Sequence, residues 1–133
     1  MFSWFEKHNK ISWTVTILIA ITMFYLSSIT FHFPAGAQKT NLLSIIYHIV
    51  AYFFLSLFLF TSSLKKKKEL SFLVILILFL YAVLDELHQF FVPGRSCSLS
   101  DLFIDGTGII LAFLTYVIVK IKQFKNTFFL HSL

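Results

Sequence analysis

The chain has 133 residues, of which 58% are hydrophobic and 13% charged, with a formal net charge of +5. This apolar composition excludes an ordinary soluble domain, and the single Cys97 excludes an internal disulfide. The basic residues lie between and beyond the apolar runs, a distribution that favours membrane orientation over nucleic-acid binding.

Four apolar runs follow one another along the chain, each close to the ~20 residues that a helix needs to cross the hydrocarbon core. They cover residues 11–31, 42–62, 70–92 and 101–119. Backbone polar groups inside a bilayer must be satisfied within the protein, so each run is predicted to be an α-helix. The sequence therefore predicts an all-α polytopic membrane protein, a four-transmembrane-helix bundle that forms one domain over residues 1–133.

Lys and Arg residues predict the orientation of this bundle. The N-terminal segment, the Lys65–Lys68 run and the C-terminal tail carry nine of the eleven, and the other two loops carry only Lys39 and Arg95. Cytoplasmic loops have an excess of Lys and Arg. We therefore expect a multi-pass protein of the cell membrane with both termini in the cytoplasm, whose first run is a retained helix rather than a cleaved signal peptide.

Turn and cap signals predict the ends of the last two helices. The residue before a proline is biased away from helix, so Val92 is predicted to end the third helix. Ser98 is predicted to cap the fourth helix, and Asp101, three residues later, fits the acidic position of a capping box.

The third run ends in polar residues that lipid contact cannot explain: Asp85, Glu86, His88 and Gln89. A charge at the bilayer centre costs at least ~2.5–3.5 kcal/mol on insertion scales. At 100° per residue these side chains span roughly half of the helix surface. That sector is therefore predicted to face the bundle interior or a water-filled cavity.

The second and fourth runs carry polar faces that could meet this sector. The second run has three polar residues at intervals of four, Ser44, His48 and Tyr52. The fourth run has a stripe of two acids followed by two small residues, Asp101, Asp105, Gly108 and Ala112. Small residues four apart let membrane helices approach closely, so this stripe is predicted to face another helix.

Depth in the membrane predicts that the polar groups form one site. At ~1.5 Å per residue, His48, Asp85 and Asp105 lie about 9, 10 and 6 Å from the outward ends of their helices. We therefore expect one cluster contributed by three helices, with Arg95 in the loop above it. The candidate ligand-binding residues are His48, Asp85, Glu86, Gln89, Arg95, Asp101 and Asp105.

The segment DELHQFFVPGRS at residues 85–96, followed by Ser98, Asp101, Asp105 and Gly108, resembles the signature of VanZ-like membrane proteins. Residues 24–28 of the first run and His48 with Tyr52 also fit the family's pattern. Two positions depart from it: Ile45 occupies the neighbourhood where many relatives carry a Lys, and Asp105 stands where many have Asn. The family is named for a protein linked to low-level teicoplanin resistance, so the resemblance implies a role in the cell envelope more than it implies an activity.

Several functions remain open at this point. The leading hypothesis is an envelope protein whose outward-facing polar pocket binds a lipid headgroup or a wall-precursor fragment. An enzyme is the second, in which Asp85, Glu86 or His48 performs general acid–base chemistry on a lipid-linked substrate. An oligomeric transporter is the third, and a structural lock, in which the acids and Arg95 merely hold the last two helices together, is the fourth.

The sequence also allows expectations about metals and partners. His48 and the carboxylates are metal-ligand types, but no His-Glu-x-x-His motif and no zinc-spaced Cys/His pair is present, so the sequence predicts no metal and no cofactor. The expected partners are membrane lipids, a lipid-linked cell-wall precursor and, for a transporter, further copies of the chain, with no nucleic acid.

Overall fold

The computed structural model describes residues 2–30, 42–64, 70–95 and 97–131, with the side chains of residues 4–30, 42–64, 70–95 and 97–126. All its regular structure is helical: α1 (Phe2–Lys7), α2 (Asn9–Ser27), α3 (Leu42–Ser63), α4 (Ser71–Phe90) and α5 (Leu99–His131). Four segments are long and apolar enough to cross a membrane, namely α2, α3, α4 and Leu99–Asn126 of α5. The predicted all-α fold with four membrane-spanning helices is confirmed.

Two helices end earlier than predicted. α2 stops at Ser27: the Ser28 amide still bonds the Phe24 carbonyl, which also accepts the hydroxyls of Ser27 and Ser28, and the next amide, of Ile29, bonds only three residues back, to the Leu26 carbonyl. Phe31, the predicted end of this helix, lies outside the described residues, as does the Lys65–Lys68 run.

The predicted end of the third helix at Val92 is wrong by two residues, because α4 ends at Phe90. The amides of Phe91 and Val92 bond three residues back, to the carbonyls of His88 and Gln89, so the chain tightens before Pro93. Gly94 then takes a φ of 82°, a left-handed conformation that glycine adopts without strain.

α5 is longer than the apolar run that predicted it, which began at 101 and ended at 119. It begins at Leu99 and continues to His131, past Lys120, Lys122 and Lys125. Lys is a good helix former and is well solvated, so the helix can continue after its apolar part ends. The apolar run marked the membrane crossing rather than the end of the helix.

The short helix α1, which the sequence did not predict, packs against the end of the bundle that holds the C-terminal halves of α3 and α5. The Ser12 hydroxyl donates to the Phe5 carbonyl at 2.8 Å, and the Phe5 ring meets the Phe58 ring edge-on at 5.1 Å. Glu6 forms an ion pair with Lys120. These contacts fix α1 to α2, α3 and α5.

α3 is the central helix and packs most extensively against α5 and then α2. At Gly108 the two backbones come so close that a Cβ atom would lie 2.6 Å from the Ile49 carbonyl oxygen. Tyr81 donates its hydroxyl to the Ala20 carbonyl at 2.8 Å and so joins α4 to α2. The outer faces are rich in exposed Ile, Leu and Phe side chains, which suit lipid contact.

Candidate functional site

A buried histidine–aspartate pair connects α3 to α5. Nδ1 of His48 lies 2.9 Å from Oδ1 of Asp105, and the two residues are 5% and 0% exposed. Asp105 lies one turn before Gly108, whose missing side chain allows α3 and α5 to approach. The close backbone contact therefore sets the distance across which the pair interacts.

Glu86 brings α4 into the same place. His48, Glu86 and Asp105 each offer a ligand atom within 4.8 Å of the others, an arrangement that could hold a metal ion. Oε2 of Glu86 accepts the amide N–H of Ser98 at 2.7 Å. Ser98 does precede α5, as predicted. The capping-box prediction is wrong, because the Ser98 amide, which Asp101 was expected to accept, is accepted by Glu86 instead.

Asp85 and Gln89 extend this group along α4. Nε2 of Gln89 donates to Oδ2 of Asp85 at 3.0 Å, and both residues are buried. We use the name polar cluster for the five buried residues His48, Asp85, Glu86, Gln89 and Asp105. The sequence-based prediction that three helices contribute to one polar group agrees with this geometry; the role of these residues in binding or catalysis stays a prediction.

The remaining predicted site residues lie at the edge of the polar cluster. Asp101 is half-buried and interacts electrostatically with Glu86 and His48. Nη2 of Arg95 donates to the Leu26 carbonyl at 3.0 Å, which ties the turn after α4 to the C-terminal end of α2.

His88 departs from the predicted polar sector of α4. Its Nε2 lies 2.9 Å from the Ser28 hydroxyl, and its ring is tilted against Phe24 with 4.4 Å between the ring centroids. Both contacts are with α2 and its C-cap, so His88 faces away from the polar cluster. The polar sector of α4 therefore divides between two interfaces: His88 contacts α2, and the other three polar residues belong to the polar cluster.

Three carboxylate oxygens of the polar cluster have no hydrogen-bond partner among the described residues: Asp85 Oδ1, Glu86 Oε1 and Asp105 Oδ2. Burying a polar atom without a partner costs ~1–3 kcal/mol, and more for a charged group. Native proteins contain few such atoms, and each calls for an explanation such as an ion, a water molecule or a functional role. The polar cluster is therefore only half-satisfied by the protein itself.

Tyr52 belongs to the same environment, and the sequence-based site omitted it. The residue is 1% exposed, its hydroxyl has no partner within the described part of the chain, and it interacts electrostatically with Asp105 and Asp85. The signal was present, since Tyr52 follows His48 by four residues and so shares its helix face.

A family model described as VanZ/LLP1 matches residues 3–120, which include the whole polar cluster. The chain belongs to the VanZ/LLP1 family. Comparison with curated proteins and with solved structures gives no match. The family assignment agrees with the predicted resemblance, and it places this VanZ/LLP1 protein among membrane proteins.

This VanZ/LLP1 protein also has an apolar groove of about 360 Å³ between α2 and α3. Four residues of each helix line it: Ile19, Thr22, Met23 and Leu26 from α2, and Tyr47, Val50, Ala51 and Phe54 from α3. The Leu26 carbonyl accepts the hydrogen bond from Arg95, and Tyr47 interacts electrostatically with Asp85 and Arg95. One end of the groove therefore adjoins the polar cluster.

Proposed function

We propose that this protein binds the polar headgroup of an envelope lipid, or of a lipid-linked cell-wall precursor, at the polar cluster. The observation that carries the proposal is the set of partnerless oxygens on Asp85, Glu86 and Asp105 within candidate membrane-spanning helices. An ionised carboxylate only accepts hydrogen bonds. A headgroup rich in O–H or N–H donors, such as a sugar or an amine, has the complementary chemistry.

The apolar groove supports an amphipathic ligand. Its volume of about 360 Å³ falls in the ~300–1,000 Å³ range of small-molecule sites, and its end at Leu26 and Tyr47 adjoins the polar cluster. An acyl or prenyl chain in the groove would leave its headgroup beside the carboxylates. Arg95 stands at the junction, where its guanidinium could exchange the Leu26 carbonyl for a headgroup phosphate.

The proposed orientation indicates which leaflet of the membrane would supply the bound lipid. With both termini in the cytoplasm, as the Lys distribution predicts, the polar cluster faces the outer leaflet of the cell membrane. Wall-precursor lipids presented there would connect the chain to the glycopeptide resistance for which its family is named.

Catalysis on such a lipid is the second candidate, favoured by the His48–Asp105 pair. An aspartate that accepts the Nδ1 proton fixes the histidine tautomer and leaves Nε2 as a proton acceptor. His48→Asn would then abolish turnover even at saturating lipid, whereas a purely binding site would show no turnover in the wild type.

Native mass spectrometry of the purified full chain tests lipid binding. We expect bound lipid on the wild type and an affinity for lipid at least about tenfold lower in Glu86→Gln, a change equivalent to ~1.4 kcal/mol. The matched control is Glu6→Gln, which makes the same chemical change at the far end of the bundle, where Glu6 pairs with Lys120. Equal lipid occupancy in all three proteins would contradict the proposal.

A further inference from the structure

We propose that His48, Glu86 and Asp105 bind a single divalent transition-metal ion, Zn²⁺ or Mn²⁺. One imidazole and two carboxylates form a mixed nitrogen and oxygen ligand set, which suits these ions better than it suits Mg²⁺. The inference goes beyond the proposed function and does not rest on it, because it requires only these three side chains.

The spacing of the three residues is close to that of a coordination sphere. Bonds from Zn²⁺ to nitrogen and oxygen are ~2.0–2.2 Å long, so neighbouring ligand atoms lie ~3.0–3.5 Å apart. The 2.9 Å between His48 Nδ1 and Asp105 Oδ1 is slightly below this spacing, and a bound ion would displace the proton that these two atoms share. All three ligand atoms lie within 4.8 Å of one another, so Glu86 has to move by only on the order of 1 Å, which side-chain torsions can supply.

The partnerless oxygens provide an independent observation that points to a ligand. Glu86 is 3% exposed and Asp105 is 0% exposed, yet Glu86 Oε1 and Asp105 Oδ2 have no partner among the described residues. The other oxygen of Glu86 accepts the Ser98 amide, a group outside the three proposed ligands. Hydrogen bonds from outside the coordination sphere orient metal-ligating carboxylates, so the support for Glu86 is already in place.

Charge gives the physical reason for a divalent ion. Two ionised carboxylates beside a neutral imidazole carry a charge of −2 in a buried, low-dielectric setting, where uncompensated charge is very costly. A divalent ion would cancel that charge. Three protein ligands would also leave a coordination position for water or for an oxygen of a ligand.

The test is calorimetric titration of the untagged, chelator-treated full chain in detergent with ZnCl₂, MnCl₂ and MgCl₂. We expect one Zn²⁺ or Mn²⁺ per chain, Mg²⁺ weaker by at least tenfold, and a loss of at least tenfold in affinity for Glu86→Gln and for Asp105→Asn. The matched controls are Glu6→Gln, at the far end of the bundle where Glu6 pairs with Lys120, and His88→Asn, whose histidine faces α2. Both controls should keep wild-type affinity.

A second measurement on the wild type covers the case in which the Glu86 and Asp105 variants do not fold. Added Co²⁺ should give the visible d–d absorption of a protein-bound ion, and one equivalent of Zn²⁺ should remove it. The absence of stoichiometric Zn²⁺ or Mn²⁺ binding, an affinity unchanged in both ligand variants, or the absence of the Co²⁺ absorption would each overturn the proposal. No lipid ligand is added in these experiments, so a failure of lipid binding is distinguishable from a failure of metal binding.

Discussion

Replacing Gly108 by alanine tests whether the close contact of α3 and α5 sets the geometry of the polar cluster. The new Cβ would lie 2.6 Å from the Ile49 carbonyl oxygen and 3.1 Å from the Phe53 amide nitrogen. Both atoms belong to the backbone and cannot swing aside as a side chain could. Ordinary contact begins at 3.4 Å, so the helices must separate locally by about 0.8 Å.

Gly106 provides the matched control, because a Cβ there would have no atom within 4 Å. Alanine is favoured over glycine in a helix by ~1 kcal/mol, and this gain is common to both variants. Overpacking typically costs ~1–3 kcal/mol. We therefore expect Gly108→Ala to be less stable than Gly106→Ala by about 1–3 kcal/mol.

The same displacement reaches the polar cluster. If α5 moves as a rigid body, the 2.9 Å contact between His48 and Asp105 lengthens by about 0.8 Å, which is past the range of a hydrogen bond. Reversible unfolding of both variants in detergent measures the stability difference, and an NMR spectrum of ring-labelled histidine reports on the pair. Equal stability together with an unchanged His48 signal would refute the inferred backbone contact.

Two further predictions concern the proposed ligand and the orientation. Arg95→Lys should keep one donor for the Leu26 carbonyl and lose no more than about 1 kcal/mol of stability. It should nevertheless lower lipid occupancy, because an ammonium cannot bind a phosphate bidentately. Wild-type lipid occupancy in this variant would mean that Arg95 does not bind the headgroup. Cys97 is exposed, so a membrane-impermeant maleimide should label it in intact cells, whereas a cysteine replacing Lys66 in a Cys97→Ser chain should stay unlabelled; labelling at position 66 would reverse the proposed orientation.

The membrane helices could be predicted because their signal is local. An apolar run of ~20 residues reports a bilayer crossing directly, and each predicted run corresponds to one of α2 to α5. α1 and the extension of α5 carry no such signal: α1 is a six-residue helix that contacts the bundle, and the extension carries Lys120, Lys122 and Lys125. The Glu6–Lys120 ion pair joins the two segments.

The site could be predicted as a location but not as a set of bonds. The cost of burying charge and the common depth of His48, Asp85 and Asp105 are the grounds on which the sequence predicts one cluster. Their pairing depends on small rotations of each helix, which the sequence does not specify. Glu86 could be assigned to the Ser98 amide only once the turn between α4 and α5 was known, and His88 looked equally suited to the cluster until its contacts with α2 were seen.

Glu86→Gln decides whether the polar cluster is a structural lock or a binding site. The side-chain oxygen of glutamine can still accept the Ser98 amide. Its amide nitrogen would take the place of Oε1, the oxygen that has no partner among the described residues. The substitution therefore keeps the bond that holds α4 to α5 and removes a buried acidic group.

A structural lock predicts that this variant is at best as stable as the wild type. A binding site predicts the opposite sign: in the absence of ligand and metal, Glu86→Gln should be more stable by about 1–3 kcal/mol, because a buried charged group with a partnerless oxygen is replaced by a neutral amide. Functional sites commonly retain destabilising groups for the sake of activity. Thermal unfolding of chelator-treated protein beside Glu6→Gln measures this difference. Lower stability of Glu86→Gln, with Glu6→Gln unchanged, would mean that the carboxylate serves the fold, because loss of its charge would then weaken the α4–α5 junction itself.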